Sequence, residues 1–249
     1  MLFFLLLFIV GIVAGFINTL AGGGSTLVLP VLILSGIPSP IANATNRVAI
    51  LMQNLTGTHH FHKHGKLKVK PVLHITLAAI IGSIVGSMFA IKVDSATFDK
   101  ILGVVFILIL LLMLHHKKQK QVTSRLFPRW LEFLIFLAVG FYGGFIQVGI
   151  GFILLATLNL IENYDLVNAN AVKVFIVLCY TVFAVIIFAI SGKILWVHGL
   201  VLACGNSLGA YLGVKAAIKK GEKVVKIVLA VAITIACLKL FGILKLIGL

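Results

Sequence analysis

Long apolar runs, interrupted by glycine clusters and short polar connections, recur along the whole chain, and most are close to the ~20 residues that a membrane-spanning helix needs. The first run breaks at LAGGGST (residues 20–26) and resumes as LVLPVLIL, so residues 1–34 predict a helix broken inside the membrane. Consecutive glycines permit backbone conformations that a helix cannot hold, and Ser25 and Thr26 are placed to cap a new helix. Such an end carries free N–H groups and about half a positive charge, which suits an anion. The same glycines would also serve close packing of helices. After the turn SGIPSP, helices are predicted at about 43–62, 71–91 and 98–114. The most polar stretch, HHKKQKQVTSRLFPR, then supplies a basic linker at 116–129. Beyond it lie a second broken segment at 130–160 and helices at about 168–190, 194–214 and 223–247.

The second half replays the first. Gly15, Phe16 and Ile17 match Gly144, Phe145 and Ile146, with Asn18 opposite Gln147. Further on, Arg47 matches Lys173, His64-Gly65-Lys66 matches Ser191-Gly192-Lys193, and Gly82 and Gly86 match Gly209 and Gly213. Both glycine pairs have the four-residue spacing of close helix contact.

Loop charge orients the halves. Lys63, Lys66, Lys68 and Lys70 in one connection, Lys117, Lys118, Lys120, Arg125 and Arg129 in the next, and Lys215, Lys219, Lys220, Lys223 and Lys226 in the last all call for the cytoplasmic side. The three agree only if the second broken segment enters and leaves by one face. Its 31 residues would make roughly 46 Å of helix, too long for one crossing of a core of about 30 Å and too short for two. The expected fold is therefore an all-α polytopic membrane protein of two inverted repeats, 1–115 and 130–249. Each repeat would hold a broken, re-entrant hairpin plus three transmembrane helices, with both termini outside.

Composition closes off other classes. With 61% hydrophobic residues, 11% charged and a mean hydropathy of +1.20, the chain has too little polar surface for a soluble domain. A net charge of +15 would suit nucleic acid, but the basic residues sit in connections between spans, so no nucleic-acid partner is expected. The opening residues have no basic start and no small-residue cleavage site, which predicts a retained segment of a multi-pass inner (plasma) membrane protein. Cys179, Cys204 and Cys237 lie in apolar runs and read as buried packing residues.

Inversion would bring the two hairpin tips together near the midplane, AGGGST facing QVGIGF (147–152). The candidate substrate-binding residues are Asn18, Gly22, Gly23, Gly24, Ser25, Thr26, Asn46, Arg47, Gln147, Gly149, Gly151 and Lys173, with Thr19, Asn170 and Asn206 nearby. Their N–H, amide and hydroxyl groups would donate to a small anionic solute, although any one amide would also serve to bridge helices. Arg47 and Lys173, each beside polar residues (NATNR and NANAVK), either attract an oxyanion or snorkel from a helix end.

The cluster HHFHKH (59–64) has metal-like spacing but no Cys or carboxylate beside it, so it reads as a basic edge at lipid headgroups. All six carboxylates fall in loops or near helix ends, with Glu132 the exception should it lie deeper, and no P-loop is present. No metal, cofactor or catalytic residue is expected. An inside-negative potential would drive an anion outward by about 2.3 kcal/mol per charge per 100 mV.

The run GFINTLAGGGSTLVLPVLILSGIPSPIANATNR, followed by THHFHKHGK and GSIVG, resembles the sulfite exporter TauE/SafE family of membrane permeases, as does the two-fold arrangement. That resemblance implies transport of sulfur oxyanions or organosulfonates such as sulfite or sulfoacetate. The second half departs from the family pattern, reading GIGFILLAT where further glycines and an apolar-proline element are expected. Phe152 and Ile153 would then offer walls more than ligands, leaving the first hairpin dominant. The reading is a transporter of small anions, not an enzyme. The alternatives are a transporter or channel for another solute, such as a metal cation, and a membrane metalloenzyme built on the histidine cluster.

Overall fold

The computed structural model describes residues 2–114, 128–162 and 164–220. Among these residues the secondary structure is helical, without strands. The helices are α1 (Leu2–Leu20), α2 (Ser25–Leu34), α3 (Ser39–Lys63), α4 (Leu73–Ala90), α5 (Ser95–Leu114), α6 (Arg129–Phe145), α7 (Ile150–Glu162), α8 (Leu166–Ile190) and α9 (Trp196–Lys220). A short 3₁₀ turn, Lys70–Val72, leads into α4.

The chain is interrupted between α1 and α2 and again between α6 and α7. At 10 and 13 residues, α2 and α7 are too short to cross a bilayer. Among the described residues four segments are long and apolar enough to do so: Leu2–Leu20, Lys70–Ala90, Leu166–Ile190 and Trp196–Lys219. Their outer faces are hydrocarbon. Leu5, Ile9 and Val13 of α1 and Leu73, Leu77, Ile81 and Val85 of α4 are exposed at helical spacing, a pattern suited to lipid contact.

Several bounds differ from the sequence expectation for local reasons. Pro40 occupies the first turn of α3, where its missing N–H costs nothing, so that helix begins at Ser39 instead of about 43. At the other end α3 stops at His64-Gly65, where Gly65 takes a φ of +67°. The helix expected at 194–214 runs on to Lys220, so Lys215, Lys219 and Lys220 are helical and not part of a loop. Asp165 starts α8 by accepting the N–H groups of Val167 (2.9 Å) and Asn168 (3.0 Å). Cys204 is exposed on α9 and Cys179 only partly buried, so neither is the enclosed packing residue expected. Residues 116–127 of the basic linker, the helix at 223–247, Lys223, Lys226 and Cys237 lie outside the described residues.

Two glycine seams clamp the bundle. A Cβ added at Gly82 would lie 2.0 Å from the Leu137 carbonyl oxygen, and one at Gly86 2.1 Å from that of Phe141. Across the same α4–α6 contact, Gly140 and Gly144 meet the backbone of Ala79 and Ser83 just as closely. The α1–α9 contact is built likewise, with Gly15 against Asn206, Gly205 against Phe8 and Gly209 against Ile12. Because lipid offers no hydrophobic drive toward association, backbone contact at small residues supplies the attraction.

Between the seams runs α3, the most polar long helix, with Asn43, Thr45, Asn46, Arg47, Gln53 and Asn54 all buried. Polar side chains at membrane depth need partners inside the protein. Those partners are the ends of the broken helices.

Candidate functional site

A helix ending inside a membrane leaves its last carbonyls without backbone partners, each a cost of several kcal/mol if unmet, and concentrates partial negative charge there. Both interrupted helices meet this requirement in one way. Lys173 of α8 donates to the carbonyls of Asn18 (2.8 Å) and Thr19 (3.0 Å) at the end of α1, and to Asn170 Oδ1 (2.6 Å). Asn170 Nδ2 completes the set at the Leu20 carbonyl (3.0 Å). On the other side, Arg47 of α3 donates to the carbonyls of Gly143 and Gly144 (2.9 Å) at the end of α6, to Asn43 Oδ1 (3.5 Å) and to Gln147 Oε1. Asn43 Nδ2 takes the Phe145 carbonyl (3.0 Å). A cation and an asparagine one turn apart thus hold three terminal carbonyls at each break. By these contacts Asn18 and Thr19 correspond to Gly143 and Gly144, which pairs Gly15 with Gly140, not with Gly144 as sequence matching has it.

Arg47 (0% exposed) and Lys173 (2%) are therefore enclosed, and neither snorkels. Among the described residues neither is paired with a carboxylate. All three Lys173 protons have acceptors, as do both terminal nitrogens of Arg47, whose Nε has none. The Phe188 ring lies 5.5 Å from the guanidinium carbon.

The starts of α2 and α7 are built differently. Ser25 and Thr26 do not cap α2. Gly24 is its N-cap residue, and the Gly24 N–H goes to Asn18 Oδ1 of α1 (2.9 Å), a cap reaching across the break. The Thr26 hydroxyl is spent on the Gly23 carbonyl (2.6 Å), as is its N–H (3.1 Å). Among the described residues the N–H groups of Gly23 and Ser25 have no protein acceptor. Ser25 Oγ accepts from Asn46 Nδ2 (3.3 Å), and Asn46 Oδ1 is buried without a partner. Exchanging the amide's O and N leaves donors over in either arrangement, the serine proton with one amide N–H or both amide N–H groups.

At the second break Gln147 has a φ of +66°, a region that a residue with a Cβ enters at a cost of about 1–3 kcal/mol. Arg47 on its side chain and the Tyr142 carbonyl on its N–H (3.2 Å) hold it there. The Tyr142 hydroxyl donates to Val148 O and closes the loop.

The two breaks touch. Gly22, at φ +91°, presents its bare Cα to Gly151, so a Cβ on either residue would lie within 2.3 Å of the other's Cα. The Phe152 ring covers Gly23. Asn18, Gly22–Ser25, Asn46, Arg47, Gln147, Gly151 and Lys173 are thus tied to one junction by bonds or direct contact, and Gly149 lies in the second break, at φ +70°. Thr26 is there too, but its hydroxyl faces its own turn. Sequence reasoning missed Gln53, whose Oε1 receives both Asn18 Nδ2 (3.1 Å) and Asn206 Nδ2 (3.4 Å). It also missed Asn43, although a polar residue one turn before Arg47 was the available signal.

The histidine cluster does not converge. His60 packs on Tyr211 with ring centroids 4.9 Å apart, His59 meets His60 edge-on, and His64 Nδ1 lies 2.8 Å from the His60 carbonyl. No group of three metal-ligating side chains comes together among the described residues. Glu132 is the carboxylate that departs from expectation: it is fully buried, with Oε2 3.1 Å from His74 Nε2.

Apolar spanning helices, two helices interrupted within the bundle and a polar junction between the interruptions define a polytopic membrane protein of the transporter class. The model of the sulfite exporter TauE/SafE family matches residues 7–240, and the chain belongs to that family. It is 28% identical to a "Probable membrane transporter protein" of Haemophilus influenzae, over 89% of this chain and 88% of that one. Similar values hold for the ORF9 transporter protein of a Sinorhizobium species, 28% over 93% and 91%. A Bacillus subtilis relative, YunE, is 23% identical over 94% and 96%. No solved structure matches.

Proposed function

We propose that this transporter moves small anions of the sulfur oxyanion or organosulfonate class through the junction of the two breaks, with the halves acting as inverted repeats that rock or gate around it. The observation that carries this reading is the charge balance. Two buried cations lie against helix C-termini worth about half a negative charge each, and no carboxylate joins them among the described residues, so each end keeps a positive remainder. The start of α2 adds a further positive end, with the Gly23 and Ser25 N–H groups open to an oxygen.

Gly23, Ser25 and Asn46 are the ligands, Gln147 orients, and Arg47 and Lys173 hold the helix ends while making the junction positive. Phe152 and Ile153 form walls. The choice of sulfur anions rests on the family description.

The test is flux of labelled sulfite, sulfoacetate and thiosulfate in proteoliposomes at a set membrane potential. Ser25→Leu should stop potential-dependent flux while the protein remains folded in detergent. Normal anion flux in Ser25→Leu, or movement of a cation in place of the anions, would overturn the reading.

A further inference from the structure

Glu132 stands apart from Asp94, Asp99 and Asp165. Asp94 and Asp99 are exposed and Asp165 is half-buried, whereas Glu132, in the first turn of α6, is 0% exposed. Burying a carboxylate is expensive unless it is paired, and replacing such a pair by apolar residues often costs nothing, so packing does not account for an acid here. Its partner His74, on α4, has a side chain 34% exposed. That side chain opens on a cavity of about 660 Å³ which Lys70 and Arg129 also line. A titratable ring therefore faces an open cavity on one side and a sealed carboxylate on the other.

The charges that the described residues place around the pair are these. From α4 comes His74, from the turn before it Lys70, and from α6 itself Arg129. The charged residue of α8 is Lys173, which is engaged with α1, and α7 carries no ionisable residue before its last, Glu162.

The pair sits at one end of the helix whose other end Arg47 holds. We propose that His74 and Glu132 form a proton-binding site through which proton movement is coupled to that of the transported solute. A proton from the cavity adds to the His74 ring, and the proton on Nε2 passes to Glu132 Oε2; after the halves have rocked, the two transfers run in reverse and the proton leaves to the opposite side. Protonation removes the negative charge that favours the start of α6 and turns an acceptor-only group into a donor. Because α6 is locked to α4 by backbone contact at Gly82, Gly86, Gly140 and Gly144, a change at its start is carried along the seam to the junction.

The coupling rests on the anion reading only for the choice of labelled solute. The experiment uses proteoliposomes with the potential clamped at zero and a pH gradient of about one unit, which drives about tenfold accumulation per coupled proton. Wild type should accumulate labelled sulfoacetate. Glu132→Gln should equilibrate it without accumulation, Glu132→Asp should restore the response, and His74→Gln should slow it. In parallel, pH-difference infrared spectra of the wild type should show a neutral carboxyl band that Glu132→Gln lacks and that the exposed-site control Asp94→Asn keeps. Equal accumulation by wild type and Glu132→Gln, wild-type flux indifferent to the pH gradient, or a carboxyl band unchanged in Glu132→Gln would overturn the proposal. Should no labelled anion move in wild type under any gradient, the anion reading falls instead, and the infrared titration still decides whether Glu132 takes up a proton.

Discussion

The two breaks share one construction at the helix that ends and differ at the helix that begins. Lys173 with Asn170, and Arg47 with Asn43, each satisfy three terminal carbonyls. Past the gap the first break offers the N–H groups of Gly23 and Ser25 beside the Ser25 hydroxyl and the amide of Asn46, whereas the second, among the described residues, leaves the N–H groups of Val148, Gly149 and Gly151 open with no hydroxyl beside them, next to a strained Gln147 and the ring of Phe152. A membrane-buried carbonyl has to be satisfied whatever the protein transports, so the C-terminal ends are alike. Ligand groups answer to the solute and can be unequal. Cation and glycine positions therefore report on architecture, and in the function proposed above the α2 start sets selectivity.

The sharpest way to break this comparison is to remove one clamp. Lys173→Met leaves the carbonyls of Asn18 and Thr19 facing an apolar chain, and should cost about 3–5 kcal/mol. In detergent the unfolding temperature should fall by about 10 °C. If α1 ended well without its cation, the melting curve would stay near wild type. Gly22→Ala comes next. The new methyl meets Gly151 and the residue must hold φ +91°, for a loss of about 3 kcal/mol, while Ala at Gly36, also at positive φ but with open space around it, should cost about 1 kcal/mol. Similar melting temperatures for the two variants would mean that the breaks do not need their close contact.

The smallest effect sharpens the selectivity half. Phe152→Ala uncovers Gly23 and, at a half-buried ring, should cost about 1–2 kcal/mol. Anion flux should persist, with larger sulfonates gaining relative to sulfite. Abolished flux with a normal melting curve would make Phe152 more than a wall.

Much of this was legible before folding. Apolar runs of spanning length, the breaks at Gly22–Gly24 and around Gly149, and the small-residue spacing of Gly82 and Gly86 are local properties, and the bilayer permits few structures that satisfy them. Arg47 and Lys173 were visible as a matched pair of cations, but two readings of them, snorkelling and direct attraction, look the same in a linear chain. The acceptors that exclude snorkelling lie on helices about half the chain away. The cap on Gly24 was assigned to its neighbours, Ser25 and Thr26, because capping is usually local; packing of α1 against α3 brings Asn18 there instead. Glu132 sat in view as one more acid near a helix end, and burial is a property of neighbours that the chain order does not name.

The sequence by itself thus determined the membrane class, the two interruptions and the residues able to bind or carry charge, since hydropathy and backbone freedom belong to each segment alone. Tertiary structure decided which cation closes which helix, which N–H groups stay open, and which acid is sealed away. Each of those depends on surfaces from both halves meeting at a backbone contact that only glycine allows.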